Sequence, residues 1–230
     1  MSILINKSIK KLINNKNILV SKNFNKSQVQ PASLDLTLSA NCYRIKASFI
    51  PNNKKISQLI ESLTLNKLNL NHENLLEKNC IYLCELNEKL DLPISFSAKS
   101  NPKSTTGRLD IFTRLITENG KEYDHVCKGY KGKVYLEIIP QSFSIIVKKG
   151  ISLNQLRFYD ESHNVKSFIK SQNISIYIKK NEVSAYKAKK NTGAINLTKI
   201  NYYKINDYWD KIIPIKNSFI IEKDEFYILR

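Results

Sequence analysis

Apolar and polar residues alternate along much of this chain, and that period of two predicts strands. In Ser33-Leu34-Asp35-Leu36-Thr37-Leu38 the leucines fall on every second position, which puts Leu34, Leu36 and Leu38 on one face and Asp35 on the other. Residues 43–49 repeat the alternation after Ser39-Ala40-Asn41, so the two segments predict a hairpin. Further strands are expected at residues 80–86, 92–98 (with Ile94, Phe96 and Ala98 in phase), 110–116, 134–139, 143–147, 151–158, 174–178 and 218–229. An Asn119-Gly120 pair between two of them suits a tight turn. Helical spacing is confined to two short stretches. Residues 8–15 carry Ile9, Leu12 and Ile13 among lysines, and residues 56–63 carry Ile56, Leu59, Ile60 and Leu63. Short strands separated by turn signals are the pattern of a mostly β sandwich or barrel. Residues 64–76, rich in Asn and Leu, follow neither period, and residues 185–194 read as a basic, flexible segment.

Composition narrows the picture. A chain of 230 residues buries a sizeable core and forms one domain, or one domain and part of another. The net charge of +17 would ordinarily suggest a polyanion partner. Only Arg44, Arg108, Arg114, Arg157 and Arg230 are arginine among the 37 basic residues, and the lysines are scattered among Asn and Ile. That reads chiefly as a codon bias acting on a solvated surface, with a polyanion as small as a triphosphate as the alternative. A nucleic-acid-binding barrel would interleave aromatic side chains with cations on one face, which scattered lysines do not do. Cys42, Cys80, Cys84 and Cys127 form no CxxC or disulfide-dense pattern, and Cys80 and Cys84 read as core residues rather than metal ligands. No signal peptide and no apolar run of about 20 residues is seen, so a cytoplasmic protein is expected.

Two places concentrate chemistry. Lys103-Ser104-Thr105-Thr106-Gly107-Arg108 gathers hydroxyls around a glycine with a cation at each end. Amides and hydroxyls of such a loop can face a phosphate, with Lys103 and Arg108 as counter-charge, although ordinary turns share this composition and the spacing is not that of a Walker A loop. The second place is Glu137, inside Val134-Tyr135-Leu136-Glu137-Ile138-Ile139. A carboxylate in the middle of an apolar strand is costly to bury unpaired, and Arg108 is one of few available partners. Glu137 is then either half of a structural salt bridge or a general base that reaches a water. Asp35, on a polar face, reads as a solvated or turn-bonding acid in preference to a catalytic one.

Taken together, four segments resemble, in order and spacing, the signatures of the dCTP deaminase family, which is grouped with the trimeric dUTPases. They are Val29-Gln30-Pro31-Ala32-Ser33-Leu34-Asp35-Leu36, then Pro102-Lys103-Ser104-Thr105-Thr106-Gly107-Arg108-Leu109, then Gly129-Tyr130-Lys131-Gly132 with Leu136-Glu137-Ile138, and Gly150-Ile151-Ser152-Leu153-Asn154-Gln155-Leu156. The resemblance covers residues 5–197. It implies a distorted β jelly-roll or barrel of the trimeric dUTPase type with a few short helices, and a homotrimer with active sites at subunit boundaries. The implied substrate is dCTP with Mg²⁺ on its triphosphate, and neither nucleic acid nor a membrane is an implied partner. Glu137 falls on the family's catalytic glutamate, which activates the water that attacks C4 of cytosine. Ser104 and Arg108 fall on the residues that orient that water and stabilise charge at C4. Lys103 and Thr105 lie where triphosphate contacts are expected, and His125 and Val126 lie in a substrate-binding segment. Residues 186–193 resemble the lid that folds over the phosphates, with Tyr186, Lys187 and Lys190 as contacts and Asn191 in place of the usual glutamine.

Two departures accompany the resemblance. Cys127 stands where the family commonly has an aspartate at the deoxyribose, and residues 202–230 resemble the opening of a second, related β domain of a longer bacterial subfamily. The expected organisation is therefore a deaminase-like β domain with its lid at residues 1–197, followed by an incomplete second domain at 198–230 whose last strand lacks a partner. Zinc-dependent deaminases carry a His- or Cys-x-Glu element followed by Pro-Cys-x-x-Cys. Here His72 and Glu73 are adjacent, and Cys80 and Cys84 are separated by three residues with no preceding proline, so no zinc is expected. The resulting expectation is hydrolysis of the amidine C–N bond of dCTP to dUTP and ammonia, supplying thymidylate synthesis. The alternatives are a bifunctional enzyme releasing dUMP and diphosphate, and an inactive truncated remnant.

Overall fold

The alternating segments become strands, and the protein is mostly β. The computed structural model describes residues 2–22, 24–162, 175–215 and 218–230. The largest sheet is antiparallel, with Thr64–Asn69, Leu38–Ile45, Ile81–Asp91, Lys131–Pro140 and Ile111–Thr117 side by side, and Ile18–Leu19 added to Ile81–Asp91. A second sheet runs Ser2–Ile3, Asn154–Asp160, Phe96–Pro102 and His125–Val126, with Leu34–Leu36 also paired to Asn154–Asp160. Leu136 and Ile138 from the first and Leu156 and Phe158 from the second are fully buried in one core, with Leu34, Leu36 and Leu38. The opposite face of the first sheet holds a smaller cluster of Ile45, Leu83, Ile116 and Tyr135, covered by the helix Ile56–Leu63 through Ile56. Glu137 is on this second face, one position from Leu136 and Ile138, because successive side chains of a strand alternate sides.

Several expectations change. The leucine-rich segment and its successor form no hairpin, because they belong to different sheets. The chain crosses at Thr37, whose N–H and hydroxyl donate to the buried Glu88 at 2.9 and 2.8 Å instead of continuing a ladder. Residues 92–95 make a turn, with the Phe96 N–H donating to the Pro93 carbonyl at 2.9 Å, so the strand begins only at Phe96. In the segment expected to be a strand at 174–178, Ile174 lies outside the described residues, and residues 175–178 are not in a strand. The stretch 103–108 contains a five-residue helix, Ser104–Arg108, rather than a loop.

The largest change is at the C-terminus. Ala185–Ala188, expected to be flexible, is the central strand of a three-stranded antiparallel sheet between Trp209–Ile212 and Tyr227–Leu229. The last strand therefore has a partner, contrary to expectation, and finds it about forty residues back in the chain rather than in a hairpin. Phe143 meets the rings of Tyr208 and Trp209 edge-on at 5.7 and 5.3 Å, which docks this sheet on the main body. Contacts of this kind add about 0.5–1.5 kcal/mol beyond area burial. No helix among the described residues is long and apolar enough to cross a membrane.

Candidate active site

The Ser104–Arg108 helix has an unfavourable composition, with two threonines, a serine and a glycine in five residues. Tertiary bonds hold it instead. The buried Thr106 hydroxyl donates to the Leu153 carbonyl at 2.6 Å, and the Lys103 N–H donates to the same carbonyl at 3.0 Å. With Thr106 turned inward, Ser104, Thr105 and Arg108 are exposed. Lys103, just before the helix, pairs with Asp35, which is buried rather than solvated as the alternation suggested. Both line a cleft of about 890 Å³ with Lys22, Lys148 and Lys149. Glu88 accepts from Thr37 and from the Gln28 amide, two residues that also line this cleft, and burial holds its carboxyl above the usual carboxylate range despite those donors.

Glu137 has 0% of its surface exposed, and its ion-pair partner is Arg114, not Arg108. The two are directly opposite on adjacent strands, so the register of Lys131–Pro140 against Ile111–Thr117 makes the pair. Arg114 Nε and Nη2 donate to the same oxygen, Oε1, at 2.8 and 2.5 Å. The other oxygen, Oε2, is buried and has no hydrogen-bond partner among the described residues. The Arg114 guanidinium lies 3.9 Å from the Tyr123 ring centroid and 5.1 Å from that of Phe112. Arg108 makes no ion pair among the described residues. Its helix points it to solvent, while Arg114 is held against the carboxylate by the ladder.

Arg114 also lines a cleft of about 560 Å³ with Gly107, Phe112, Thr113 and Asp124. A Cβ at Gly107 would meet nothing within 4 Å, so the glycine leaves open space on this wall. Asp124 accepts from the Leu115 N–H at 2.8 Å, and burial raises its carboxyl above the usual range even with that bond and with Arg114 nearby. Burial likewise raises the Tyr123 hydroxyl. The sequence reading missed Arg114, Tyr123 and Asp124. No local signal marks Arg114, which occupies an ordinary polar position of an alternating strand.

The other expected residues lie apart. Val126 is buried and His125 half-buried on the short strand beside Phe96–Pro102, and His125 and the exposed Cys127 line a cleft of about 460 Å³. In the segment compared with a lid, Tyr186 and Lys187 are in the C-terminal sheet. Lys187 pairs with Glu222 and lies 3.9 Å from Glu225, and Lys190 pairs with Glu225 at 2.5 Å. Asn191 has a left-handed backbone with φ 56°. The structure thus joins Lys103 to Asp35 and Glu137 to Arg114. It leaves Ser104 and Arg108 on an exposed helix, and Lys187 and Lys190 paired with Glu222 and Glu225.

Comparison with known proteins bears on this arrangement. The family model described as 2′-deoxycytidine 5′-triphosphate deaminase N-terminal domain matches residues 1–162, and that of the C-terminal domain matches residues 154–230. Both of the family's domains are therefore matched, and the second match begins well before residue 198. A crystal structure of 2′-deoxycytidine 5′-triphosphate deaminase from Agrobacterium tumefaciens superposes with a TM-score of 0.91 at 34% identity, covering 99% of this chain and 75% of that one. Curated relatives include proteins named "dCTP deaminase, dUMP-forming". The one from Methanococcus maripaludis strain C5 is 28% identical over 172 residues, covering 68% of this chain and 80% of its own length. The one from Methanocaldococcus jannaschii is 29% identical over 178 residues, covering 68% and 81%.

Proposed function

The chain belongs to the 2′-deoxycytidine 5′-triphosphate deaminase family, and from that membership we propose that it is a cytoplasmic enzyme that hydrolyses the 4-amino group of dCTP, releasing ammonia and dUTP for thymidylate synthesis. One observation carries the proposal: Glu137 is wholly buried, with one oxygen tied to a cation and the other free to accept. A carboxylate oxygen placed in this way is suited to take a proton from a water. As the water oxygen bonds to C4 of cytosine, Glu137 takes one of its protons and delivers it to N3. Glu137 then carries the second water proton to the amino nitrogen. The C4–N4 bond breaks with its electron pair on nitrogen, ammonia leaves, and C4 remains as a carbonyl. Ser104 orients the water, and Arg108 stabilises the charge that develops at C4.

Ser104 and Arg108 are exposed on their own chain, which suits a site completed across a subunit boundary. We therefore assign a homotrimer of jelly-roll protomers. Lys103, Thr105, Tyr186, Lys187, Lys190 and Asn191 meet the triphosphate, which arrives with its Mg²⁺, and His125 and Val126 border the nucleoside. A second reading has a specific observation in its favour, because the curated relatives are named dUMP-forming. It adds hydrolysis at the α-phosphate, so that dUMP and diphosphate leave with the ammonia.

The test is incubation of the protein with dCTP and Mg²⁺ while ammonia and nucleotide products are followed together. Ammonia with dUTP supports the first reading, ammonia with dUMP supports the second, and a folded protein that releases no ammonia refutes both. Glu137→Gln keeps shape but cannot take a proton. It should abolish turnover, a loss of about 100-fold or more, while dCTP still binds. Near-parental turnover in this variant would remove Glu137 as the base.

A further inference from the structure

Arginine and carboxylate groups usually meet fork to fork, two N–H groups on two oxygens. Here two N–H groups of Arg114 converge on Oε1 of Glu137 alone, and Oε2 is left buried without a partner. A bridge that served only stability would occupy both oxygens, since an unsatisfied buried acceptor carries a desolvation cost. The guanidinium has little freedom to swing across. Tyr123 lies against it at 3.9 Å and Phe112 at 5.1 Å, and the strand register sets Arg114 directly opposite Glu137. Arg114 also lines the cleft it shares with Gly107 and Asp124. The carboxylate is therefore held by one oxygen in a single orientation, with the second oxygen reserved.

We propose that Arg114 is the positioning residue of the deamination: it binds Oε1 so that Oε2 alone receives the water proton, and the Tyr123 ring fixes the guanidinium plane that does this. The inference rests on the reading of Glu137 as the base. Arg114 itself touches neither the water nor C4. It supplies the counter-charge that a fully buried carboxylate requires and fixes the angle at which the free oxygen faces the reacting atoms.

The experiment measures ammonia release from dCTP and Mg²⁺ by the full chain and by Arg114→Lys and Arg114→Ala, with folding followed by circular dichroism. Lysine keeps the charge but has no planar fork, so Arg114→Lys should fold and lose kcat about tenfold, with KM for dCTP within about twofold of the parent. Arg114→Ala, which also loses the counter-charge, should lose on the order of 100-fold in kcat. Added guanidinium ion should restore part of that loss to the alanine variant and none to Glu137→Gln, a readout that a purely structural role would not give. If Arg114→Ala does not fold, Arg114→Lys carries the test alone. An active parent whose folded Arg114→Lys variant keeps parental kcat overturns this inference and leaves the deaminase reading standing. A parent that releases no ammonia overturns the deaminase reading, and this inference with it.

Discussion

Among the described residues two glutamates are almost wholly buried, and they have different partners. Glu88 accepts from the Thr37 N–H, the Thr37 hydroxyl and the Gln28 amide and meets no cation among the described residues, whereas Glu137 has a cation on one oxygen and no hydrogen-bond partner among them on the other. Burial outweighs the three donors at Glu88 and raises its carboxyl above the usual range. The folded protein therefore keeps a proton that the unfolded chain has already released. Stability must fall as pH rises from the ordinary glutamate range through the raised value, because the native state binds more protons in that window. Glu88→Gln has no such proton to lose. Melting temperatures measured at steps upward from about pH 4.5 should decline in the parent and stay flatter in the variant. Parallel curves would mean that Glu88 does not titrate in that window.

Among elements, the same accounting separates what was legible in the sequence from what was not. The strand around Glu137 was legible because alternation is local, and so was the oddity of a carboxylate among Leu136, Ile138 and their neighbours. Its partner was not, because Arg108 and Arg114 are both plausible by sequence distance and only the cross-strand register decides between them. Asp35 was misread for a related reason. Alternation assigns faces but cannot say that both faces of Leu34–Leu36 are covered, and here all three residues are buried. The Ser104–Arg108 helix was hidden by its poor intrinsic propensity, since its stability comes from Leu153, a residue of another motif. That dependence is testable. Thr106→Val keeps the shape and removes the hydroxyl while the Lys103 N–H still satisfies the Leu153 carbonyl, so the cost should be about 1 kcal/mol in denaturant unfolding. A change near zero would mean the helix is set by its own sequence after all.

Over the whole molecule, the net charge of +17 places a surplus of lysines against few acids, and those acids are unevenly used. Glu222 and Glu225 sit on Lys187 and Lys190, the two lysines assigned to the triphosphate, and the Lys190 ammonium holds the Glu225 carboxyl below the usual range. The C-terminal strand Tyr227–Leu229, which follows these glutamates, is paired to the strand that carries Lys187, so the same sheet brings Glu222 and Glu225 to Lys187 and Lys190. On the proposed assignment, a triphosphate would bring several negative charges to the same lysines and compete with the glutamates for them. Glu225→Gln removes one competitor without removing a lysine. KM for dCTP should fall about two- to fivefold, the range expected for an ion pair whose cation is exposed to solvent, with kcat unchanged. The gain should shrink as salt is raised, because exposed charges are screened over about 8 Å at physiological ionic strength. A KM that does not move at low salt would mean that Lys187 and Lys190 do not meet the phosphates, and that Glu222 and Glu225 serve only to hold the segment before the last strand against Lys187 and Lys190.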